Sequence, residues 1–119
     1  MDEREQRKLV KKQQRREALR QTEIDEALSA IMSHPNGRRA INWVLENAGT
    51  NGEPFTGNAL TTAFNCGQQR VGKMLQARIT SVAPDHFLTM LKEMENERRA
   101  DLNDAAGDDA PSDDDTTDD

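Results

Sequence analysis

One stretch, His34 to Gly72, constrains the fold of this chain more than any other. It holds the only Trp, two of the three Phe, the only Cys and six of the seven Gly. It reads HPNGRRAINWVLENAG, then a short polar loop, then FTGNALTTAFNCGQQRVG. Concentrated Gly and aromatics point to a segment that fixes backbone geometry. Two unlike ends flank it. Arg4 to Arg20 carries eight Lys/Arg and two Glu, net +6, and Asp101 to Asp119 carries nine Asp and no base, net −9. Ile24 to Lys92 is close to neutral, with six basic and five acidic residues. The overall charge of −6 therefore describes the tail more than the folded part.

The periodicity is helical throughout. Asp2 to Arg20 contains no Gly or Pro and only one β-branched residue, Val10, so it favours helix. Its apolar residues are too few for a core face, which makes it a helix that needs a partner. Thr22-Glu23-Ile24-Asp25 resembles a capping box, and Ile24, Leu28, Ile31 and Met32 follow at the spacing of one helical face, on a helix that either starts at about Glu23 or runs on from the arm. Pro35 suits the first turn of a second helix, capped by Ser33 or His34, with Ile41, Val44, Leu45 and Ala48 as its stripe and Gly49 as its stop. Asn58 caps a third helix whose stripe is Leu60, Ala63, Phe64, Gly67, Val71, Met74, Leu75 and Ile79. Pro84 opens a fourth, with Phe87, Leu88, Leu91 and Met94 facing inward. No segment alternates with period two over the length of a strand.

The expected fold is thus all-α: a small bundle of three or four helices, with a charged N-terminal helical arm at 1–21. The helical core domain covers 22–100, and an acidic, disordered tail covers 101–119. Gly inside a helix costs about 1 kcal/mol relative to Ala, so Gly67 and Gly72 call for a close helix contact. Trp43 and Phe55 are expected over that bare backbone, packed with Phe64 and Leu75. Gly37 precedes an Arg pair in the first helical turn, where free N–H groups point outward. A core of 70–75 residues is small, so self-association into a homo-oligomer is an expectation.

No chemistry emerges. His34 and His86 lack a ligand partner at i+3 or i+4, so neither metal nor cofactor is expected. Cys66 reads as a small buried apolar residue, and a single Cys forms no internal disulfide. Glu46 and Glu53 lie across the Gly49 stop and do not form a catalytic pair. The charged N-terminus is unlike a secretory leader, and no apolar run approaches the ~20 residues that span a bilayer. The expectation is a soluble, non-enzymatic chain with no membrane contact. Its expected partner-binding residues are Arg38, Arg39, Arg70, Lys11, Lys12, Arg15 and Arg16.

The middle of the chain resembles a family of small proteins encoded among the head and tail genes of short-tailed phages, of the Bordetella podophage type. The resemblance is carried by Pro35-x-Gly37-Arg38-Arg39, Trp43, Gly49, Phe55-Thr56-Gly57-Asn58, Thr62-Ala63-Phe64, Gly67, Gly72 and Leu88-x-x-Leu91, over about residues 24–95. The family usually shows Gly-Arg-Arg after Ala-Phe, where this chain has Gly67-Gln68-Gln69-Arg70, leaving Arg70 alone. The resemblance implies a virion-associated structural or assembly protein that binds other head or tail proteins, located in the virion and, during assembly, in the host cytoplasm. The rival reading is an accessory DNA- or RNA-binding protein that uses the basic arm. It is not favoured, because nine Asp at the other end would compete for that arm.

Overall fold

A computed structural model describes residues 2–109, most of them helical. Four helices follow in order: α1 (Glu3–Met32), α2 (Pro35–Asn47), α3 (Ala59–Val82) and α4 (Pro84–Asp109). Among the described residues there is no strand. The fold is an all-α bundle, as the periodicity predicts.

Local signals set most helix ends. Asp2 caps α1, its side chain accepting from Glu5 N at 2.8 Å. Pro35 occupies the first position of α2, where its missing N–H costs nothing. Gly49 follows α2 with φ of +63°, the left-handed turn that glycine makes without strain. Asn58 caps α3 by accepting from Thr61 N at 3.0 Å, and Pro84 begins α4.

Of the two readings of the Thr22 capping box, the continuous helix holds: α1 runs through it unbroken, and the Thr22 hydroxyl donates back to Ala18 O at 3.1 Å. With no breaker after Asp2, an existing helix has no reason to restart. At the other end, residues 101–109 were expected in the disordered tail but continue α4. Asp101 to Ala106 holds no breaker, and Pro111 is the next proline. The rest of the expected tail lies outside the described residues.

The core sits where the two tight helix connections meet. Met32, Ile41, Leu45, Ile79, Ala83 and Met90 are buried, with Leu28, Leu75, Val82, Phe87 and Met94 packed against them. Met32 ends α1, Ala83 joins α3 to α4, and Ile41 and Leu45 line the inner side of α2. The expected aromatic cluster does not exist. Trp43, Phe55 and Phe64 are 65%, 72% and 65% exposed, and only Leu75 of that group reaches the core.

Close backbone approach occurs at Gly37 and Gly72, not at Gly67. A Cβ added at Gly37 would collide with the Ile31 carbonyl oxygen and lie 2.8 Å from its carbon. One at Gly72 would collide with Thr50 Oγ1 and lie 2.9 Å from Ala48 Cβ. At Gly67 it would meet nothing within 4 Å. Gly37 lets α1 fold back on α2, and Gly72 lets the end of α2 and Thr50 lie against α3. Thr50 is itself buried and satisfied, donating to Leu45 O at 2.8 Å.

Candidate partner-binding surfaces

Two cross-element clamps fix how the surfaces are presented. Arg38 is buried against α4: its Nε meets Glu93 Oε1 at 2.5 Å and its Nη1 donates to Met32 O at 2.9 Å. One side chain therefore joins the end of α1, the start of α2 and the middle of α4. This corrects the reading of Arg38 as a partner-binding residue. Its guanidinium is used up inside the fold, and the Met32 carbonyl at the helix end gains the donor it would otherwise lack. Arg39, one residue on, stays exposed and pairs with Glu97 at 2.8 Å. Surface pairs of this kind contribute at most about 1 kcal/mol.

The second clamp was not foreseen. Arg78 on α3 meets Asp25 Oδ1 at 2.5 Å and donates to Gln21 O at 3.0 Å, tying α3 to α1. Its sequence signal is faint: one of three cations on a helix that holds no acid. Its partner lies 53 residues away, so only the tertiary fold brings them together.

N-terminal to Gln21 the arm is exposed at every residue from Asp2 to Arg20. Helical geometry sorts its charges. Arg4, Lys8, Lys11 and Arg15 stand at i, i+4, i+7 and i+11, so they share one face, with Arg7 and Lys12 beside it. The cations are thus less evenly spread than their interleaving with Gln suggests. Among the described residues, the arm's ion pairs are Arg7 with Glu3 and Arg20 with Glu17, both at 3.7 Å. Lys11, Lys12, Arg15 and Arg16 make none. Arg70 is likewise exposed on α3 and makes none.

The other exposed feature is apolar. Leu60, Phe64, Val71 and Met74 on α3 are each more than 60% exposed. The loop after α2 is held off this face. Asn65 donates to Pro54 O at 3.2 Å, and Gln69 donates to Gly49 O at 3.2 Å and Gly52 O at 2.8 Å, fixing the loop along the polar side of α3. Cys66 is exposed as well, which corrects its reading as a buried apolar residue.

Among the described residues no group of three or more His, Cys, Asp or Glu side chains converges to hold a metal. Among the described residues the one strongly shifted carboxylate is Glu95. Hydrogen bonds from Arg98, together with those from Arg99, hold it at about 2 against the usual 4.5, and the pair raises Arg98 in turn. Both arginines lie within one turn of Glu95 on α4, so the network braces that helix. No helix among the described residues is long and apolar enough to cross a membrane.

The sequence model for Bbp19-like phage proteins matches residues 28–92. Among curated proteins and among solved structures, nothing matches the chain. The matched span runs from the last turn of α1 through the first third of α4. It therefore covers the core, both close glycine contacts and the apolar face of α3, and leaves out the arm.

Proposed function

Because the chain belongs to the family of Bbp19-like phage proteins, we propose that it is a virion-associated structural or assembly protein that binds other head or tail proteins. The observation that carries this reading is the division of the molecule into a small closed core and two large open surfaces. A helical arm from Glu3 to Arg20, exposed throughout and cationic on one face, does not stabilise itself by packing. An apolar face on α3 sits in water with no covering element. Both features are explained by assembly, in which neighbouring proteins cover them. The chemistry of the arm suits an acidic surface on that neighbour, and Lys11, Lys12, Arg15 and Arg16 are the residues assigned to the contact, with Arg39 and Arg70 nearer the core.

Mass spectrometry of purified particles tests the reading, with this chain expected at a fixed stoichiometry to the major head and tail proteins. Its absence from mature particles would move the role to transient assembly. Replacing Lys11, Lys12, Arg15 and Arg16 with Gln leaves the core untouched and is expected to lower incorporation.

A second reading rests on the alignment of Arg4, Lys8, Lys11 and Arg15: the arm binds nucleic acid. Salt separates the two. A phosphate-binding arm would lose duplex affinity with a slope of about −0.9 per phosphate neutralised. Absence of duplex binding at low salt removes this reading.

A further inference from the structure

Leu60, Phe64, Gly67, Val71 and Met74 follow one another on α3 at intervals of four, three, four and three residues. That is the heptad spacing by which one helix pairs with another. In this molecule the seam has no partner. Leu60 is 83% exposed, Phe64 65%, Val71 63% and Met74 64%. A residue larger than Gly at position 67 would meet nothing. The seam therefore awaits a helix from outside the molecule.

Charge selects which helix and which direction. Ala59 to Val82 contains no acid, Ala59 to Gln69 contains no charge at all, and the cations Arg70, Lys73 and Arg78 all lie C-terminal to Gly67. A parallel pair of α3 helices would set Arg70 on Arg70 and Lys73 on Lys73. An antiparallel pair instead sets the cationic half of each against the uncharged half of the other. We propose that α3 is the self-association seam of this protein: two copies pair antiparallel through this face, centred on Gly67. Leu60 of each copy then lies opposite Met74 of the other, and Phe64 comes level with the other copy's Arg70, a cation–aromatic contact. The bare backbone at Gly67 lets the helices approach closely where they cross. Covering the four apolar side chains on both copies removes about 1,000 Å² from water, the lower bound of a specific interface. The pairing is isologous and closed, so the arms and α4 of both copies remain open to other partners. It does not rest on the assignment to the virion, and it is read on the purified protein alone.

The full chain tests it. Light scattering is expected to give twice the 13.4 kDa chain mass. Phe64→Lys, at an exposed position, is expected to return the single-chain mass with an unchanged far-UV circular dichroism spectrum. On a Cys66→Ser background, Gly67→Cys is expected to oxidise to a disulfide-linked pair about tenfold or more faster than Ala77→Cys, because a held pair replaces chance encounter. Ala77 is exposed on a different side of α3. Leu60→Cys on the same background is expected to cross-link only when mixed with Met74→Cys. A single-chain mass for the unmodified protein at the highest attainable concentration would overturn the proposal. So would a double mass that survives Phe64→Lys, or equal oxidation rates for Gly67→Cys and Ala77→Cys. Self-linking of Leu60→Cys would mean a parallel pair and overturn the antiparallel register.

Discussion

Gly37→Ala is the sharpest probe of the corner between α1 and α2. The added methyl would overlap the Ile31 carbonyl, with the carbon at 2.8 Å and Ile31 Cγ2 at 3.0 Å. A carbonyl inside a helix does not swing aside as a side chain does, so the first turn of α2 must retreat. That movement strains the Arg38 contacts to Met32 O at 2.9 Å and to Glu93 at 2.5 Å. Overpacking costs about 1–3 kcal/mol. Weakening a buried hydrogen bond from a charged donor adds about 1.5 kcal/mol or more. Replacing Gly by Ala in a helix returns at most about 1 kcal/mol. The balance is a loss of about 2–3 kcal/mol, which for an ordered domain of this size lowers Tm by roughly 8–15 °C. The matched control is Gly67→Ala, measured on the Phe64→Lys background so that self-association plays no part. There the methyl meets no atom, and only the propensity gain of about 0.5–1 kcal/mol remains. Urea titrations with equal m-values read both changes. The same substitution is thus expected to have opposite signs at two helical glycines. A neutral or stabilising Gly37→Ala would refute the reasoning, because the α1–α2 corner would then have room that the backbone does not show.

Three further perturbations have defined outcomes. Arg38→Ala is expected to cost about 2–3 kcal/mol, because it strips a donor from the Met32 carbonyl and a partner from Glu93, whereas Arg39→Ala should stay within about 0.5 kcal/mol; urea midpoints separate them. Thr50→Val keeps the shape but removes the buried hydroxyl that donates to Leu45 O, with an expected loss of about 1–2 kcal/mol by thermal melting. In NMR titration the Glu95 carboxylate is expected to hold its charge down to about 2, and Arg98→Gln should move its midpoint up toward the ordinary 4.5. Since the folded value is the lower one, the small contribution of Glu95 to stability is present above about 4.5 and fades as pH falls toward about 2. A Glu95 midpoint unmoved by Arg98→Gln would mean that the Arg98 contact does not persist in solution.

Helix starts and stops were the most legible part of the sequence. Pro35, Gly49, Asn58 and Pro84 each act through the local backbone, and each stands where a local argument places it. Packing was less legible, for a physical reason. The stripe on α3 has the same period from Leu60 to Ile79, yet Ile79 is buried and Leu60 to Met74 are exposed. Periodicity shows that a face seeks apolar company and is silent on whether the same chain supplies it. Aromatic content is silent in the same way: Trp43, Phe55 and Phe64 are expected in a core that closes without them. On α4 the inward line is Phe87, Met90 and Met94, whereas the expected Leu88 and Leu91 lie at its edge. Arg38 and Arg78 were hardest to read. A buried Arg looks like any surface cation until its acid arrives from 53 or 55 residues away. Of the expected contact residues, Arg38 is drawn into the fold, while Arg39, Arg70, Lys11, Lys12, Arg15 and Arg16 remain exposed.

The unbroken run of α1 through Thr22 makes the arm a gauge. With no hinge between the Arg78 clamp at Gln21 and the cap at Asp2, the distance from body to tip is set by residue count, about 1.5 Å for each residue. Its angular setting is fixed as well: each residue turns the cationic face by about 100° about the axis. Deleting one residue between Arg16 and Gln21 would shorten the reach by little but rotate Arg4, Lys8, Lys11 and Arg15 through more than a quarter turn. Inserting seven there would restore their bearing and push them out by about 10 Å. Length and phase can therefore be varied separately, and a partner that reads direction will respond differently from one that reads only charge.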